Sequence, residues 1–312
     1  MLCIFFSVSI SLMTVSCAGS PGRTTIRSAS TLVESTGTSS TAVVMPTGMS
    51  SVRAASKPTQ PPSASDTTSA AHDSLARSFD LIRRQIPGEI GIALVPVGGD
   101  TKKSEIVLGT FRSGVAWSTS KVPLSIAALN RSTSAQTLEL VHRAITESDN
   151  NSAQSLWLKL GGGTAAATAV QSVLKEGGDN TTVVQAAVVR PGYTAFGQTE
   201  WSLISSARFA AALACMPDGQ SVLQLMGHVT SSQQWGLGQI NVARFKGGWG
   251  PEGSGYLVRQ LGVISRTDGS QFGVAIAVRS PQGFGAGTTD LSLIAGWLLA
   301  HEGEVESGNC QR

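Results

Sequence analysis

The segment at 116–127, AWSTSKVPLSIA, places a serine three residues before a lysine at the start of an apolar stretch. Residues three apart on a helix share one face, so the Ser118 hydroxyl and the Lys121 amine can come within hydrogen-bonding distance. Ser118 is equally suited to cap a helix whose buried face is LSIAAL. The segment 172–175, SVLK, repeats the spacing near the end of another predicted helix. The spacing alone therefore predicts a helix start and leaves a nucleophile as an open alternative.

Two further segments carry reactive side chains at defined positions. The sequence Ser-Asp-Asn at 148–150 occupies the break between two predicted helices, and Lys-Gly-Gly at 246–248 ends a predicted strand. Paired glycines on a strand allow another group to approach the backbone closely. A second Asp-Asn pair at 179–180 shows that the dipeptide alone is weak evidence. The order of the three segments along the chain is the more informative feature.

In that order the segments resemble the motifs of the active-site serine family of class A β-lactamases and penicillin-binding proteins, S-x-x-K, S-D-N and K-T-G. The similarity extends over about residues 73–303, and the copy at 172–175 does not fit the order. Predicted strands at both ends of a helical middle imply an α/β (α+β) fold, in agreement with the resemblance. Its antiparallel sheet would be flanked by N- and C-terminal helices, with an all-helical subdomain inserted.

The resemblance also implies a role for each matching residue. Ser118 would be the acylated nucleophile and Lys121 its base. Ser148 would relay a proton to the departing group, and Asn150 would hold the substrate amide and the Lys121 amine. Lys246 would polarise Ser148 and supply positive charge. A serine is a poor nucleophile until a base takes its proton, and a lysine serves as base only where its pKa is lowered.

Backbone groups complete the implied site. The N–H groups of Ser118 and Trp249 would form an oxyanion hole. Gly247 and Gly248 are expected to line the substrate site. Gly247 stands where the family has Thr or Ser, whose hydroxyl binds the substrate carboxylate, and Arg259 on the next predicted strand is expected to compensate in part.

The irregular segment 185–202, QAAVVRPGYTAFGQTEWS, departs from the family in a second way. The β-lactamases carry a Glu in this loop that positions the hydrolytic water, but here the first half has none, and Glu200 comes too late. We expect Glu200 to brace the loop, with Arg190 as its candidate partner. Slow deacylation follows as an expectation. The short segment between the first two motifs further predicts a reduced helical subdomain and a more open cleft.

Periodicity predicts a helix at 72–86, a hairpin, a helical block at 118–175, an irregular stretch at about 183–201, two helices, and strands after Gly236. A helix at 290–302 closes the pattern. We assign 73–117 and 235–303 to an α/β part, 118–234 to a helical part, and 304–312 to a tail.

The N-terminal segment has the composition of an export signal. Residues 2–15 form an apolar run followed by SCAGS, which resembles a bacterial lipoprotein signal that ends at a lipidated Cys17. Thr14 stands where Leu is usual, and no Lys or Arg precedes the run, so we expect either an earlier translation start or a poor signal. An uncleaved membrane anchor is the alternative, although the apolar run is short for one. We expect residues 1–17 to be the signal and 18–72, rich in Ser, Thr, Ala and Pro, to be a disordered tether. The protein is then exported and lipid-anchored, facing the cell wall or periplasm.

Charge and cysteine content restrict the possible partners and metal sites of the protein. The chain has 23 Lys and Arg against 20 Asp and Glu, and four basic and two acidic residues precede residue 73, which leaves 19 against 18. A nearly neutral domain argues against a nucleic-acid partner. Cys215 and Cys310 are the thiols left after Cys3 and Cys17, and in an oxidising compartment they suggest one disulfide, with two buried free thiols as the alternative. No zinc-binding spacing is present.

Two functional hypotheses follow. The first is an exported serine acyl-enzyme hydrolase acting on β-lactams or D-alanyl peptides and esters, with slow deacylation. The second is a non-catalytic envelope lipoprotein that uses the same fold to bind peptidoglycan or a protein. In both, the partner is a small molecule, a peptide or a protein, with the lipid anchor as the membrane contact. We expect a monomer without cofactor or metal.

Overall fold

The computed structural model describes residues 64–98 and 104–311, with side chains from Ala71 onward. The predicted signal peptide with Cys17, and the predicted tether as far as residue 63, lie outside the described residues. Within the described part, no helix is both long and apolar enough to cross a membrane.

The described residues form a five-stranded antiparallel sheet, a two-stranded sheet and eight α-helices. The strands are β1 Glu89–Pro96, β2 Ile106–Gly109, β3 Ser113–Val115, β4 Glu200–Ser202, β5 Ala243–Glu252, β6 Gly255–Ser265 and β7 Gln271–Ser280. The helices are α1 Ala64–Arg83, α2 Lys121–Arg131, α3 Ala135–Thr146, α4 Asn150–Lys159, α5 Gly163–Glu176, α6 Leu203–Leu213, α7 Gln220–Leu225 and α8 Phe284–Ala300.

The large sheet has the strand order β2-β1-β7-β6-β5, which makes β5 an edge strand. The central strand β7 is buried along nearly its whole length because both faces of the sheet are covered. Even-numbered residues such as Val274 and Ile276 pack with α1 and α8, while Ala275 and Ala277 face the core shared with α6 and the helical part. The predicted α/β fold with an inserted helical block is confirmed.

Helix α1 begins at Ala64, whereas the sequence predicted a start at His72. The predicted boundary between tether and domain therefore falls inside this helix. The predicted start was eight residues too late. The first deeply buried apolar side chains of this helix are Leu75 and Phe79. Residues before them are small or polar, so they carry no apolar periodicity that could locate the start.

The irregular segment between α5 and β4 is held by buried polar side chains. Asp179, 2% exposed, accepts hydrogen bonds from the backbone N–H groups of Thr181 and Thr182 and from the indole of Trp201. Burial raises the pKa of Asp179, but the hydrogen bonds outweigh it and the pKa lies below its ordinary value. The Gln198 amide in turn bonds to the backbone at Val189, Arg190, Tyr193 and Thr194. The loop thus has a fixed conformation without regular structure.

The C-terminal tail is attached to the sheet. Gly308 and Gln271 exchange backbone hydrogen bonds of 2.7 and 3.0 Å, and Cys310 forms the predicted disulfide with Cys215, which follows α6. This prediction is confirmed. The cross-link joins residues 95 positions apart. In the chain-entropy model, closing such a loop stabilises the fold by about 4 to 5 kcal/mol.

Candidate active site

Ser118 lies in a single 3₁₀ turn, Trp117–Ser120, that leads directly into α2. The two hydroxyls that follow it are bound to the backbone, Thr119 Oγ1 to Ala116 O and Ser120 Oγ to Trp117 O, both at 2.6 Å. In the described part of the chain Ser118 Oγ makes no hydrogen bond, and it does not cap α2. The helix-cap alternative is therefore not the role of this serine.

The backbone immediately before Ser118 is held in an unusual conformation. Trp117 has φ +49°, which is rare for a bulky side chain and requires support from its surroundings. Its indole packs on Gly250, contacts Tyr193 edge-to-face at 5.0 Å, and has the Arg190 guanidinium 5.8 Å from its ring centre. These contacts hold the turn in place, with Ser118 just before the N-terminus of α2.

Strand β5 runs directly beside this turn. A Cβ atom on Gly248 would lie 2.8 Å from the Ser118 nitrogen and 2.9 Å from that of Thr119, so only glycine permits the approach. Trp249 follows on the same strand, and it borders the same cleft as Ser118. The two N–H groups that the sequence assigns to an oxyanion hole therefore belong to adjacent backbone segments.

Lys121 is 1% exposed and is surrounded by oxygen atoms. Its Nζ donates to Ser148 O at 2.5 Å, to Asn150 Oδ1 at 2.7 Å and to Ser148 Oγ at 3.3 Å. Burial lowers the pKa of Lys121 to about 7, although the nearby Asp149 carboxylate raises it. A neutral amine has two N–H groups, which the two carbonyl oxygens occupy, and a lone pair that can accept a proton.

Ser148 lies between two lysines. Its φ of +60° turns the chain between α3 and α4, and its Oγ is 2.9 Å from Lys246 Nζ. Lys246 is fully buried and also donates to Gly247 O. Burial, and in addition the charge of Lys121, lowers the pKa of Lys246 well below its ordinary value. The hydroxyl is thus positioned to pass a proton.

The structure brings together all five side chains predicted as catalytic, Ser118, Lys121, Ser148, Asn150 and Lys246. Four of them line a cleft of about 720 Å³, and Lys246 reaches it through Ser148. The distant segments meet because the 3₁₀ turn, the α3–α4 connection and β5 converge at one edge of the sheet. Gly247 and Gly248 lie on that edge.

Arg259 is placed differently from the prediction. It is 1% exposed, and its guanidinium donates to Gly114 O, to Trp201 O and to Ser206 Oγ. These bonds join β6 to the small sheet and α6, away from the cleft. The prediction that Arg259 contacts substrate was wrong. Its guanidinium donates its hydrogen bonds to buried carbonyl and hydroxyl groups, whose positions the sequence alone does not give.

The predicted pairing of Glu200 with Arg190 was also wrong. Glu200 accepts a hydrogen bond of 2.6 Å from Ser113 Oγ, so it braces β4 against β3. Arg190 instead donates to Pro251 O at 3.0 Å and connects the irregular loop to the end of β5.

Several residues that line the cleft were not found from the sequence. They include Trp117, Gln154, Tyr193 and Tyr256. Gln154 lies four residues after Asn150 on α4, a spacing that could have identified it. Tyr193 lies in an irregular loop and gives no such signal. None of the described residues that line the cleft is Asp or Glu.

Solved structures that share this arrangement of elements include several β-lactamases. The chain matches the TLA-3 extended-spectrum β-lactamase with a TM-score of 0.60 and 14% identity, covering 74% of this chain and 99% of that one. A β-lactamase from Chitinophaga pinensis DSM 2588 also has a TM-score of 0.60 and 14% identity, covering 73% and 99%. A class A β-lactamase from Bacteroides cellulosilyticus DSM 14838 has the same score and identity, covering 74% and 98%.

The chain has the class A β-lactamase fold. No family model matches the sequence, and no curated protein sequence matches it. At 14% identity the solved structures bear on the fold alone, so the activity has to be argued from the site.

Proposed function

We propose that this protein is a serine acyl-enzyme hydrolase that acts on β-lactams or on D-alanyl peptides and esters, and that releases its acyl group slowly. The observation that carries the proposal is the environment of Lys121. Its amine is buried, its two short hydrogen bonds go to carbonyl oxygens, and its pKa lies near neutrality. Burial lowers the pKa of any lysine, but this amine also lines the same cleft as Ser118, where a general base at neutral pH requires a lowered pKa.

Acylation uses groups that are present in the cleft. Neutral Lys121 takes the proton of Ser118 as Oγ attacks the carbonyl carbon. The backbone N–H groups of Ser118 and Trp249 stabilise the oxyanion, an effect typically worth about 3 kcal/mol for one donor. Ser148, hydrogen-bonded to Lys246 and Lys121, delivers a proton to the departing nitrogen or oxygen.

Deacylation lacks a comparable group. Hydrolysis of the acyl-enzyme needs an activated water, and none of the described residues that border the cleft carries a carboxylate. General-base assistance is typically worth about 10²- to 10⁴-fold, so its loss lengthens the life of the adduct by about that factor. The acyl-enzyme is then the species that accumulates.

Intact-mass spectrometry after incubation with a penicillin tests the proposal. We expect a mass increase equal to the whole β-lactam, stable for minutes or longer and absent from Ser118→Ala. Rapid hydrolysis without an adduct would contradict slow deacylation. No adduct with any β-lactam or acyl-D-alanine ester would contradict the enzymatic function.

A second candidate function is binding without catalysis, as an envelope module for peptidoglycan or a protein. Two observations favour it: Gly247 lacks the usual hydroxyl, and no described residue that lines the cleft carries a carboxylate. Equilibrium binding of peptidoglycan fragments that is unchanged in Ser118→Ala and Lys121→Met, together with no adduct, would support this candidate.

We further propose that the protein is exported and held at the membrane through a lipid on Cys17. The sequence at 2–20 motivates this, since an apolar run is followed by small residues around a cysteine. Membrane fractionation of wild type and Cys17→Ser tests it. An unchanged distribution would exclude lipidation as the anchor.

A further inference from the structure

Both tyrosines of the chain, Tyr193 and Tyr256, line the cleft that contains Ser118. Tyr193 belongs to the irregular loop and is 40% exposed, and Tyr256 lies on β6. Within the described part of the chain, neither phenolic hydroxyl forms a hydrogen bond. The cleft therefore holds two hydroxyl groups that are free to bind a ligand.

The rings of the two tyrosines are held by packing. The Tyr193 ring meets the Trp117 indole edge-to-face with centres 5.0 Å apart, and the Tyr256 ring centre lies 5.9 Å from that of Phe284. Burial raises the pKa of Tyr256, and the nearby Tyr193 raises it further. The Tyr256 hydroxyl thus stays protonated at neutral pH and can donate a hydrogen bond. Donors on rings that are already packed lose little freedom when they bind an acceptor.

Strand β5 gives the cleft a direction. Lys246 Nζ is 2.9 Å from Ser148 Oγ, and two residues later a Cβ atom on Gly248 would lie 2.8 Å from the Ser118 nitrogen. In the proposed reaction the departing atom receives its proton from Ser148. The departing side of a substrate therefore lies toward the Lys246 end of β5, and the acyl side extends from Ser118 along the later residues of the strand.

The two tyrosines stand at that later end of β5. Pro251, three residues beyond Gly248, pairs with Tyr256 across the β5–β6 hairpin and accepts a hydrogen bond of 3.0 Å from Arg190 in the irregular loop. At about 3.3 Å per residue, this end of the strand is about 10 Å from the point where β5 passes Ser118. The hydroxyls are thus placed for the acyl side of a substrate and away from the departing group.

The charges at this end of the cleft favour an anion. The Arg190 guanidinium, bound to Pro251 O, forms no ion pair among the described residues. Glu252, the next residue of β5, is turned toward Arg279 and toward the Val115 N–H. None of the described residues that line the cleft is Asp or Glu. A hydrogen bond from a hydroxyl to a carboxylate is also stronger than one to a neutral acceptor.

We infer that the acyl donor of this protein carries a carboxylate on its acyl side, about 10 Å from the reacting carbonyl, and that the hydroxyls of Tyr193 and Tyr256 bind it. This inference rests on the proposed acyl-enzyme function and narrows its substrate class. A carboxylate has two oxygens, so each hydroxyl has an acceptor of its own. The tyrosines determine specificity and take no part in the bond exchange at Ser118.

A matched pair of penicillins tests the inference. One has an adipoyl side chain, which ends in a carboxylate, and the other has a hexanoyl side chain of the same length, which ends in a methyl group. The reactive ring and its own carboxylate are identical, so the comparison isolates the acyl side. At limiting concentration we expect the adipoyl compound to acylate the full-length protein about tenfold faster, because two hydrogen bonds contribute about threefold each. The growth of the adduct mass gives the rate, with Ser118→Ala as the control for nonspecific acylation.

Removal of the hydroxyls links the preference to the two tyrosines. Tyr193→Phe and Tyr256→Phe keep the rings and their packing, so each should lower the ratio of the adipoyl rate to the hexanoyl rate by about threefold. The double variant should bring the ratio to about one. The free energy of unfolding should not change, since neither hydroxyl bonds to another described residue. Val183→Ala, in the same loop and 79% exposed, is the control that keeps the wild-type ratio.

The outcomes separate the inference from the function on which it rests. Equal rates of the two penicillins with wild type would overturn the inference while the acyl-enzyme function stands. A tenfold ratio that persists in the double variant would overturn the role of the tyrosines. If neither penicillin forms an adduct on Ser118, the inference and the function are both wrong. Should a variant fail to fold, the wild-type comparison alone decides.

Discussion

Gly248 lies directly against the backbone of Ser118. An ideal Cβ on Gly248 would come 2.8 Å from the Ser118 nitrogen, 2.8 Å from Ala116 O and 2.9 Å from the Thr119 nitrogen. All three atoms belong to the main chain, so no side-chain rotation can relieve the overlap. This one contact sets the distance between the turn that carries Ser118 and the strand that carries Lys246 and Trp249.

Replacing this glycine is therefore expected to disable the site. Gly248→Ala should separate β5 from the 3₁₀ turn and lower acylation of Ser118 by at least about 10²-fold, the cost of losing one oxyanion donor. Overpacking should also lower the free energy of unfolding by about 1 to 3 kcal/mol. Gly296→Ala in α8 is the matched control. No atom lies within 4 Å of its added Cβ, so it should be neutral or stabilising. Wild-type acylation in Gly248→Ala would show that the contact is unimportant.

The pKa of Lys121 predicts how acylation depends on pH. In the proposed mechanism the neutral amine is the base, and the pKa is lowered to about 7, so the acylation rate should rise with pH and level off above about pH 7. Lys121→Arg should lower the acylation rate by about 10²-fold or more, because the guanidinium stays protonated and cannot act as a base. Lys159→Arg, an exposed lysine on α4, is the control. A rate that is flat from pH 5 to pH 9 would exclude Lys121 as the base.

Asp149 should set the midpoint of that profile. Its carboxylate raises the pKa of Lys121, and its side chain also caps α4 by accepting from Ser152 N at 2.7 Å. Asn caps helices as well as Asp does, so Asp149→Asn removes the charge and keeps the cap. The midpoint of the acylation profile should then move to lower pH. A shift to higher pH would contradict the assigned electrostatics.

The loop offers a position at which the missing carboxylate can be supplied. Val188 lines the cleft and is 56% exposed, so a longer polar side chain fits there without opening the core. Val188→Glu should shorten the life of the Ser118 adduct by at least about tenfold, toward the usual range for general-base assistance. Val188→Gln has the same shape without the base, and its adduct should persist. Time-resolved intact mass measures both; equal lifetimes would refute the prediction.

Asp179 should contribute to stability in a pH-dependent way. In Asp179→Asn an NH₂ group replaces one acceptor oxygen, although the surrounding hydroxyl and indole groups are donors. The substitution should therefore lower the free energy of unfolding, measured in urea, by about 1 to 3 kcal/mol. Because the folded-state pKa is lowered, this contribution is present above about pH 4 and is lost as the pH falls through the folded-state pKa. Asp218→Asn, on an exposed turn, should change stability by less than about 0.5 kcal/mol. Equal effects of the two substitutions would contradict this account.

The sequence by itself determined the local features of this protein. The apolar periodicity located the helical block and the later strands. The order of S-x-x-K, S-D-N and K-x-G, through its resemblance to the serine enzymes, predicted that Ser118 and four further side chains form one site. These features depend on neighbours along the chain, which the sequence displays directly. The disulfide was one of two alternatives, and the fold brought Cys215 and Cys310 together.

Other features were decided by tertiary structure alone. The sequence predicted a substrate contact for Arg259 and a pairing of Glu200 with Arg190, but burial assigned both side chains to other partners. A charged group in the interior binds whichever carbonyl or hydroxyl the fold places nearest, because leaving it unpaired is costly. The lowered pKa of Lys121 and the placement of Tyr193 and Tyr256 in one cleft likewise arise only when segments more than 20 residues apart converge. Water exclusion and close packing act through space, and a linear pattern does not encode them residue by residue.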